Sequence, residues 1–314
     1  MRALVTGVAG FIGSSLTDAL LARGDHVVGV DCFTPYYDHG AKDSNLTSAR
    51  GSDRFELVEA DLRTDAVEPL VDGVDVVFHE AAQPGVRLSW SGGFADYVGH
   101  NVLATQRLLE AVKATGSAKV VYASSSSVYG NAPAYPTTED DLPRPHSPYG
   151  VTKLAAEHLC NLYASNWGVP TISLRYFTVY GPRQRPDMAF HRLLEAALSG
   201  GSFPLYGDGS AVRDFTFVGD VVAANLGAAD SDTTPGTVVN VAGGSSITMR
   251  DLLDLAGEVV GAPVQVERLP NQPGDVARTG GTIDRAQRIL GWAPITDLRA
   301  GLTAQADWHR ARRA

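Results

Sequence analysis

The sequence is short of cysteine, of positive charge and of long apolar runs. Cys32 and Cys160 are the only cysteines among 314 residues and stand in unrelated contexts, which predicts neither a disulfide framework nor a metal site. The formal net charge of −9 argues against a nucleic-acid partner, and it means that an anionic substrate needs a local cluster of arginines. Because the chain has no apolar run of about 18 residues and no signal-peptide pattern, we expect a soluble, cytoplasmic protein without a membrane partner.

What is present is a regular alternation of strand-like and helical stretches. With 44% hydrophobic and 19% charged residues, the chain is predicted to be globular, with a substantial core. The alternation predicts an α/β fold with a doubly wound parallel sheet of the Rossmann type, whose ligand crevice lies at the carboxyl ends of the strands. The predicted strands are 2–6, 26–31, 55–60, 74–79, 119–124 and 170–176, and the predicted helices lie near 11–23, 101–115 and 148–167.

A glycine-rich turn follows the first predicted strand. Gly7, Gly10 and Gly13 stand between an apolar run and a helix opening, which is the order that a dinucleotide fingerprint requires. Gly7 permits the turn, Gly10 lets the backbone approach a pyrophosphate at the helix N-terminus, and Gly13 allows helix and strand to pack closely. Asp31 ends the next strand, where a carboxylate accepts hydrogen bonds from an adenine ribose, and with no basic residue beside it NAD is favoured over NADP. The plainer interpretation is an ordinary glycine turn followed by a surface aspartate.

Tyr149 and Lys153 form a second motif near the middle of the chain. Ser147 and Pro148 are typical of a helix start, and the spacing of four places Tyr149 and Lys153 on one face. A neighbouring ammonium, a cationic nicotinamide and the positive helix end would lower the phenol pKa from about 10 toward the working range. The alternative is a buried tyrosine beside a solvent-reaching lysine. Together with the glycine turn, the pair predicts a nicotinamide-dependent redox enzyme.

Several further motifs extend this pattern along most of the chain. They are Asp61-Leu62, His79-Glu-Ala-Ala-Gln83, Tyr122-Ala-Ser-Ser-Ser-Ser-Val-Tyr-Gly130, Arg175-Tyr-Phe-Thr-Val-Tyr-Gly-Pro-Arg-Gln-Arg185 and Arg213-Asp-Phe-Thr-Phe-Val-Gly-Asp220. In these motifs and their order the chain resembles the extended short-chain dehydrogenases/reductases, specifically the nucleotide-sugar epimerases and dehydratases. Within that family, stretches 31–38 and 185–188 look most like those of UDP-glucuronate 4-epimerases.

The resemblance implies a division into two parts and a set of cofactor contacts. The expected NAD-binding domain comprises 1–180 and 215–243, and the smaller α/β lobe for the nucleotide sugar comprises 181–214 and 244–314. Residues 215–243 are predicted to form a strand at 215–218, a helix, and a strand at 238–241. A homodimer formed through the helices near 101–115 and 148–167 is also implied. The residues expected to contact NAD are Gly7, Gly10, Phe11, Ile12, Gly13, Asp31, Asp61, Leu62, Ala81, Ala82, Asn101, Tyr149, Lys153 and Tyr176.

The serine run 124–127 separates the possible chemistries. By resemblance, Ser125 hydrogen-bonds the reacting hydroxyl, and it joins Tyr149 and Lys153 as a catalytic candidate. Sugar dehydratases of the family carry an Asp-Glu pair at the next two positions, and glucuronate decarboxylases carry a Glu at the second. This chain has Ser126 and Ser127 there, which cannot act as acid or base unaided at neutral pH, so elimination is disfavoured and oxidation followed by reduction remains.

The implied substrate is a UDP-sugar, and UDP-glucuronate in particular. Its 4-keto form has the ketone beta to the carboxylate and loses CO₂ readily, so the site should hold that carboxylate away from the cleavage geometry. Thr178 stands where hexose epimerases typically have Asn, and with Ser126, Ser127 and Arg185 it is a candidate for the carboxylate site. The further candidates are Arg192 and Arg213 for the diphosphate, Asp275 beside Gln272 for the uridine ribose, and Arg87 for another part of the substrate.

Other functions stay open at this point. A UDP-glucose/UDP-galactose 4-epimerase would share every catalytic residue, a UDP-glucuronate decarboxylase is less favoured without the acidic residue, and a non-catalytic NAD-binding regulator commonly loses the tyrosine or lysine that this chain keeps. Glu80 is a local departure, since the family usually has an apolar residue there.

Overall fold

A seven-stranded parallel sheet forms the centre of the protein in the computed structural model, which describes residues 1–90, 93–116, 118–270 and 275–313. Its strand order is β11-β6-β5-β4-β1-β2-β3, and every neighbouring pair is parallel. The strands are β1 Arg2–Thr6, β2 His26–Asp31, β3 Phe55–Glu59, β4 Val76–His79, β5 Lys119–Ser125, β6 Thr171–Tyr176, β7 Val179–Tyr180, β8 Ser202–Tyr206, β9 Val212–Asp214, β10 Thr216–Phe217, β11 Thr237–Val241, β12 Ser246–Thr248 and β13 Gln265–Leu269.

Helices cover both faces of this sheet, which confirms the predicted doubly wound fold. Neighbouring residues of β1 therefore enter different cores: Val5 packs with Leu16 on one face, and Leu4 packs with Leu108 on the other. The helices are α1 Phe11–Arg23, α2 His39–Asn45, α3 Glu68–Val71, α4 Phe94–Tyr97, α5 Ala104–Thr115, α6 Pro148–Trp167, α7 Ala189–Ser199, α8 Val218–Asp230, α9 Met249–Val260, α10 Asp284–Leu290 and α11 Leu298–Ala311. Among the described residues, no helix is both long and apolar enough to span a bilayer.

A separate hydrophobic core lies outside the main sheet. Phe190 and Leu193 of α7, Leu252 of α9 and Leu302 of α11 are all fully buried in it. Small sheets flank this core, in which β8 pairs with β13, β9 with β12 and β7 with β10. The exact division of the chain into a cofactor domain and a substrate lobe stays a prediction.

Helix α11 is tied to the segment that follows β7. The Gly181 amide donates to Gln305 Oε1 at 2.9 Å, and Gln305 Nε2 donates to Gln184 Oε1 at 3.0 Å. The side chain of Gln305 is fully buried. The side chain of Gln305 thus pairs with two polar groups, the Gly181 amide and Gln184 Oε1, which fixes the start of the segment 181–188.

The predicted element bounds hold where local capping chemistry is strong. Helix α1 ends on Gly24 with a positive φ of 93°, and α6 begins after Ser147, whose hydroxyl accepts from the Gly150 amide at 3.1 Å. The helix predicted near 101–115 begins at Ala104, because Val98–Leu103 forms a π-helical turn ahead of it. The strand expected at 215–218 is wrong in extent: only Thr216–Phe217 is extended, it pairs with β7 outside the main sheet, and Val218 already starts α8.

Candidate active site

A cleft lies at the carboxyl ends of the central strands and encloses about 1140 Å³, which includes the open solvent at its mouth. Such a crevice is where open parallel sheets bind their ligands. It is lined by residues from the turn after β1, the ends of β2 to β6, α6 and the segment after β7. The sequence-predicted residues that line it are Gly7, Gly10, Phe11, Ile12, Gly13, Asp31, Asp61, Leu62, Ala81, Ala82, Tyr149, Lys153, Tyr176 and Arg185.

The glycine turn forms one end of the cleft. Gly7 has a φ of +68°, and a Cβ on it would lie 2.8 Å from the Ala81 amide nitrogen, while a Cβ on Gly13 would lie 2.3 Å from the Gly7 carbonyl oxygen. Neither position therefore accepts a side chain without backbone movement. Gly10 caps α1 without a side chain, which leaves the helix N-terminus open toward the cleft. This turn fits a bound pyrophosphate.

Asp31 lies beside this turn and has a basic neighbour after all. Its carboxylate accepts from the Phe33 amide at 2.8 Å and from the Ala9 amide at 3.2 Å, and the Lys42 ammonium lies 3.4 Å away. The expectation that no basic residue stands beside Asp31 is therefore wrong in the folded protein. Lys42 is eleven residues further along the chain, but α2 places its ammonium next to the Asp31 carboxylate. The carboxylate itself still faces the cleft, and it suits a free ribose diol better than a phosphorylated one.

Asp61 supplies a second carboxylate to this end. Arg63 Nη2 donates to Asp61 Oδ2 at 2.7 Å, and this guanidinium lowers the pKa of the Asp61 carboxyl. Leu62 lines the cleft beside Asp61 with a buried side chain. A charged acceptor next to an apolar wall fits the adenosine part of NAD.

Tyr149 and Lys153 face the other end of the cleft from α6. The Lys153 ammonium is 3% exposed and donates to the Ala123 carbonyl at 2.6 Å, so the end of β5 holds it in place. The side chain of Ser125 and the charge of the Arg185 guanidinium both lower the pKa of the Tyr149 phenol. Three elements, β5, α6 and the segment after β7, therefore converge at this end.

Burial nevertheless raises the pKa of Tyr149 overall. The expected lowering is thus not produced by the chain itself, since desolvation of the phenolate outweighs the Ser125 hydrogen bond and the Arg185 charge. Burial also lowers the pKa of Lys153 to about 8, and the nearby Glu80 carboxylate opposes that decrease. The protein brings the acid–base pair together, while a bound cation is still required to favour the phenolate.

From the sequence, Glu80 is only a departure from the usual residue of the family. In the structure it lies in the wall of the cleft. It follows β4 directly, and its Oε1 accepts a 2.7 Å hydrogen bond from the Tyr176 hydroxyl. Burial raises the pKa of Glu80 to about 7. Other cleft residues, to which the sequence assigned no contact, include Thr34, Tyr36, Tyr37, Lys42, Gln83 and His100.

Asn101 is close to the cleft but does not line it. Its amide oxygen accepts from the Gln83 backbone amide at 2.7 Å, and its amide nitrogen donates to the Gln83 carbonyl at 3.1 Å and to Thr152 Oγ1 at 3.0 Å. The fully buried Asn101 therefore shapes the Gln83 segment, and its contact with NAD stays a prediction.

The proposed carboxylate-binding set is only partly assembled. Arg185 lines the cleft, but it also donates to both carboxylate oxygens of Asp187, at 3.0 and 3.1 Å, and the Tyr36 hydroxyl donates to the same carboxylate. Ser126 and Ser127 form a short turn after Ser125, and Thr178 is a half-buried residue between β6 and β7. Ser126, Ser127 and Thr178 are not among the residues that line the described cleft.

A second polar group joins residues from distant parts of the sequence. Arg87 donates to Asp275 at 3.0 Å and lies over the Tyr206 ring, 3.8 Å from its centroid. The charges of Arg87 and Asp275 both act on the Arg213 guanidinium. Burial lowers the pKa of Arg213. Three predicted substrate residues thus come together, whereas Arg192 lies apart on α7. Gln272 lies outside the described residues.

Comparisons with known proteins agree with this geometry. Residues 3–242 match the NAD dependent epimerase/dehydratase family. An uncharacterized UDP-glucose epimerase of Bacillus subtilis is 40% identical, with 96% of each chain covered, and a UDP-glucose 4-epimerase of Mycolicibacterium smegmatis is 39% identical, with 99% of each covered. The crystal structure of a UDP-glucuronic acid 4-epimerase from Bacillus cereus, in complex with UDP-glucuronic acid and NAD, has a TM-score of 0.96 and 40% identity, covering 99% of this chain and 100% of that one.

Proposed function

The chain belongs to the NAD dependent epimerase/dehydratase family, and from this premise we propose that it is an NAD-dependent 4-epimerase that interconverts UDP-glucuronate and UDP-galacturonate. The observation that carries the proposal is that Arg185 and Tyr149 line the same cleft, where the charge of the guanidinium lowers the pKa of the phenol. A uronate brings its carboxylate to within reach of C4, so a cation beside the group that acts on the 4-hydroxyl suits it.

NAD, when bound, supplies the acceptor and donor of the C4 hydride. The open helix end at Gly10 would hold its pyrophosphate, Asp31 its ribose, and Lys153 and Tyr176 the wall of the redox end. These assignments rest on the glycine positions that exclude a Cβ and on the carboxylate beside them.

Tyr149 is the proposed general base and acid. It takes the proton from the sugar 4-hydroxyl as C4 is oxidised, and it returns a proton when C4 is reduced on its other face. Ser125, which lowers the pKa of Tyr149, is proposed to orient the same sugar hydroxyl. The Lys153 ammonium, which lies four residues along the same helix and is held by the Ala123 carbonyl, is proposed to favour the phenolate. The sugar passes through a 4-keto intermediate and must turn over between the two half-reactions.

Arg185 has the further task of protecting that intermediate. Binding of the carboxylate fixes its bond to C5 away from the geometry in which CO₂ is lost. To do so, Arg185 exchanges its pairing with Asp187 for the substrate, and Ser126, Ser127 and Thr178 remain proposed neutral donors at the same carboxylate. Arg87, Arg213 and Asp275 are proposed for the UDP part, with Arg192 as a further candidate for the diphosphate.

A 4-epimerase of the uncharged sugars in UDP-glucose and UDP-galactose is the second candidate. Two curated relatives at 39% and 40% identity carry that name, and the charge of Arg185 is already balanced by Asp187. A decarboxylase is disfavoured because Ser126 and Ser127 offer no acid or base. A non-catalytic NAD-binding role is disfavoured because Tyr149 and Lys153 are both present and both face the cleft.

NMR of the purified protein with UDP-glucuronate and with UDP-glucose in separate tubes, each with NAD, tests the choice. We expect UDP-galacturonate in the first tube and little change in the second. Faster formation of UDP-galactose would assign the neutral substrate instead, and a UDP-pentose would show that the keto acid is not protected. A matched variant, Arg185→Lys, is expected to lose activity on UDP-glucuronate more than on UDP-glucose, since a lysine keeps the charge but loses the two-pronged carboxylate contact.

We further propose a cytoplasmic homodimer. Both cysteines are free thiols, as expected in a reducing compartment. Exposed apolar side chains lie on α6 and just before α5, with Leu103 46%, Val151 50% and Leu162 48% exposed. A second copy of the chain packed on these helices would remove that surface from water.

A further inference from the structure

Glu80 is a carboxylate in the cleft wall to which the proposed reaction assigns no role. It follows β4 directly and lines the same cleft as Tyr176 at the end of β6 and Lys153 of α6. Tyr176 of β6 donates to its Oε1 at 2.7 Å, and Asn225 Nδ2 of α8 in turn donates to the Tyr176 hydroxyl at 2.8 Å and to the Val221 carbonyl at 2.9 Å. These hydrogen bonds hold the carboxyl group in place at the redox end of the cleft.

Glu80 and Lys153 line the same cleft, and the charges of their two side chains act on each other. The Lys153 ammonium is 3% exposed, and its described hydrogen bond goes to the neutral Ala123 carbonyl. A buried ammonium without a counter-charge loses its proton readily. Glu80 raises the pKa of Lys153 against the effect of burial, and Lys153 lowers that of Glu80.

The other titratable groups around this pair are neutral or compensated. Tyr122 of β5, Tyr149 of α6 and Tyr176 all have raised pKa values, and burial lowers the pKa of His79 to about 3. The Cys160 thiol, which also faces Lys153, has its pKa raised to about 12.

Two more distant charges do not change this balance. Glu157 behind Cys160 is paired with Arg175 at 2.6 Å, and Arg185 faces Tyr149 and is paired with Asp187. Within the described part of the chain, Glu80 is therefore the anion that acts on Lys153.

We propose that Glu80 is a positioning residue that acts through Lys153: its carboxylate keeps the buried ammonium charged beside Tyr149. An uncharged residue at this position leaves a lysine that loses its proton at lower pH and then no longer favours the phenolate. The proposal rests on the role of Tyr149 and Lys153 in the proposed function. This role explains why a carboxylate is kept in the cleft wall, where its desolvation costs free energy.

The test compares wild type with Glu80→Gln, which keeps the size and the hydrogen-bond acceptor for Tyr176 but removes the charge. Trace labelling with acetic anhydride across a pH series, read by mass spectrometry on the Lys153 peptide, measures the ionisation of that amine without reference to turnover. We expect a wild-type midpoint at about 8 and a decrease of about one pH unit or more in Glu80→Gln. The falling limb of the pH profile of kcat/KM in the NAD-loaded enzyme should move by the same amount.

Two further variants separate charge from structure. Glu80→Asp retains the carboxylate and should restore most of the wild-type midpoint, and Tyr176→Phe removes the hydrogen bond but keeps the charge, so its midpoint should stay within a few tenths of a unit of wild type. Glu80→Leu serves in place of Glu80→Gln if circular dichroism shows that the latter does not fold, with the same expected decrease.

An unchanged Lys153 midpoint in the folded, uncharged variant overturns the proposal, as does an equal decrease in Glu80→Asp. Failure of wild type to epimerise UDP-glucuronate would instead count against the proposed function, and the labelling result would still decide the role of Glu80.

Discussion

The Tyr149 hydroxyl is the atom on which the proposed chemistry depends most directly. We expect Tyr149→Phe to lower turnover by roughly 10²- to 10⁴-fold, the usual loss on removal of a general acid–base group, while NAD binding measured by calorimetry changes little. Tyr163→Phe is a matched control on the same helix, because its hydroxyl contacts Gln106 and Glu110 rather than the cleft. Turnover that survives in Tyr149→Phe would contradict the mechanism.

Gly13 is a residue at which one added carbon should be costly. A Cβ there would lie 2.3 Å from the Gly7 carbonyl oxygen, so Gly13→Ala must move the turn that faces the pyrophosphate. We expect a loss of about 1–3 kcal/mol of folding stability from overpacking, together with weaker NAD binding. Thermal melts with and without NAD measure both effects.

Gly51 provides the comparison for that change. A Cβ at Gly51 meets nothing within 4 Å, and this glycine has no positive φ. Gly51→Ala should therefore keep wild-type stability and NAD binding, and an equal effect of the two substitutions would show that the close contact at Gly13 is not the cause.

Single residues also show what the sequence could not reveal. The glycine turn, Asp31, Tyr149 and Lys153 were predictable because each depends on local spacing or on a strand end. The contact of Lys42 with Asp31 and that of Glu80 with Tyr176 depend on how separate segments fold back on one another. The hydrogen bonds of Asn101 with the Gln83 backbone also join separate segments, and its contact with NAD stays a prediction.

At the scale of elements, a buried ion pair joins α6 to β6 beneath the cleft. Arg175 donates to both oxygens of Glu157, at 2.6 and 3.0 Å, and Ser124 of β5 donates to the same carboxylate at 2.7 Å. The two charged side chains are 4% and 2% exposed. The pair therefore fixes α6, which carries Tyr149 and Lys153, against the sheet.

Glu157→Gln should destabilise the protein by about 3–5 kcal/mol, because it leaves the Arg175 guanidinium buried without its counter-charge. Urea unfolding followed by circular dichroism measures the loss. The exposed pair of Arg299 with Glu258 is the control, and Glu258→Gln there should cost no more than about 1 kcal/mol. Similar costs for the two variants would mean that burial does not set the strength of the inner pair.

The elements themselves were predicted best where capping and periodicity agree. Both bounds of α1 and α6 match the sequence prediction, and the C-caps Gly24 and Gly168 have positive φ. The start of α5 was missed because the π-helical turn at Val98–Leu103 keeps helical periodicity in the sequence. The strand near residue 216 was overextended because Phe215-Thr-Phe-Val218 has strand composition, although Val218 already belongs to α8.

At the scale of the whole molecule, the proposed homodimer predicts an apolar interface on α6. The exposed Val151 and Leu162 lie on the outer side of α6, and Val151→Glu with Leu162→Glu should convert the proposed dimer to a monomer by placing charges in an apolar interface. Size-exclusion chromatography with light scattering measures the change. Ile295→Glu is the control, since Ile295 is 90% exposed and outside these helices, and it should leave the dimer intact. A wild-type protein that is already monomeric would contradict the proposal.

The tie between Gln305 and Gly181 has a consequence for the order in which the site forms during synthesis. The two partners are 124 residues apart. At a translation rate of about 5–20 residues per second, Gln305 leaves the ribosome roughly 6 to 25 seconds after Gly181. During that time the segment that carries Arg185 lacks its hydrogen bonds with Gln305, whereas the glycine turn and the central strands are already synthesised. A nascent chain should therefore bind the dinucleotide before its sugar pocket is complete.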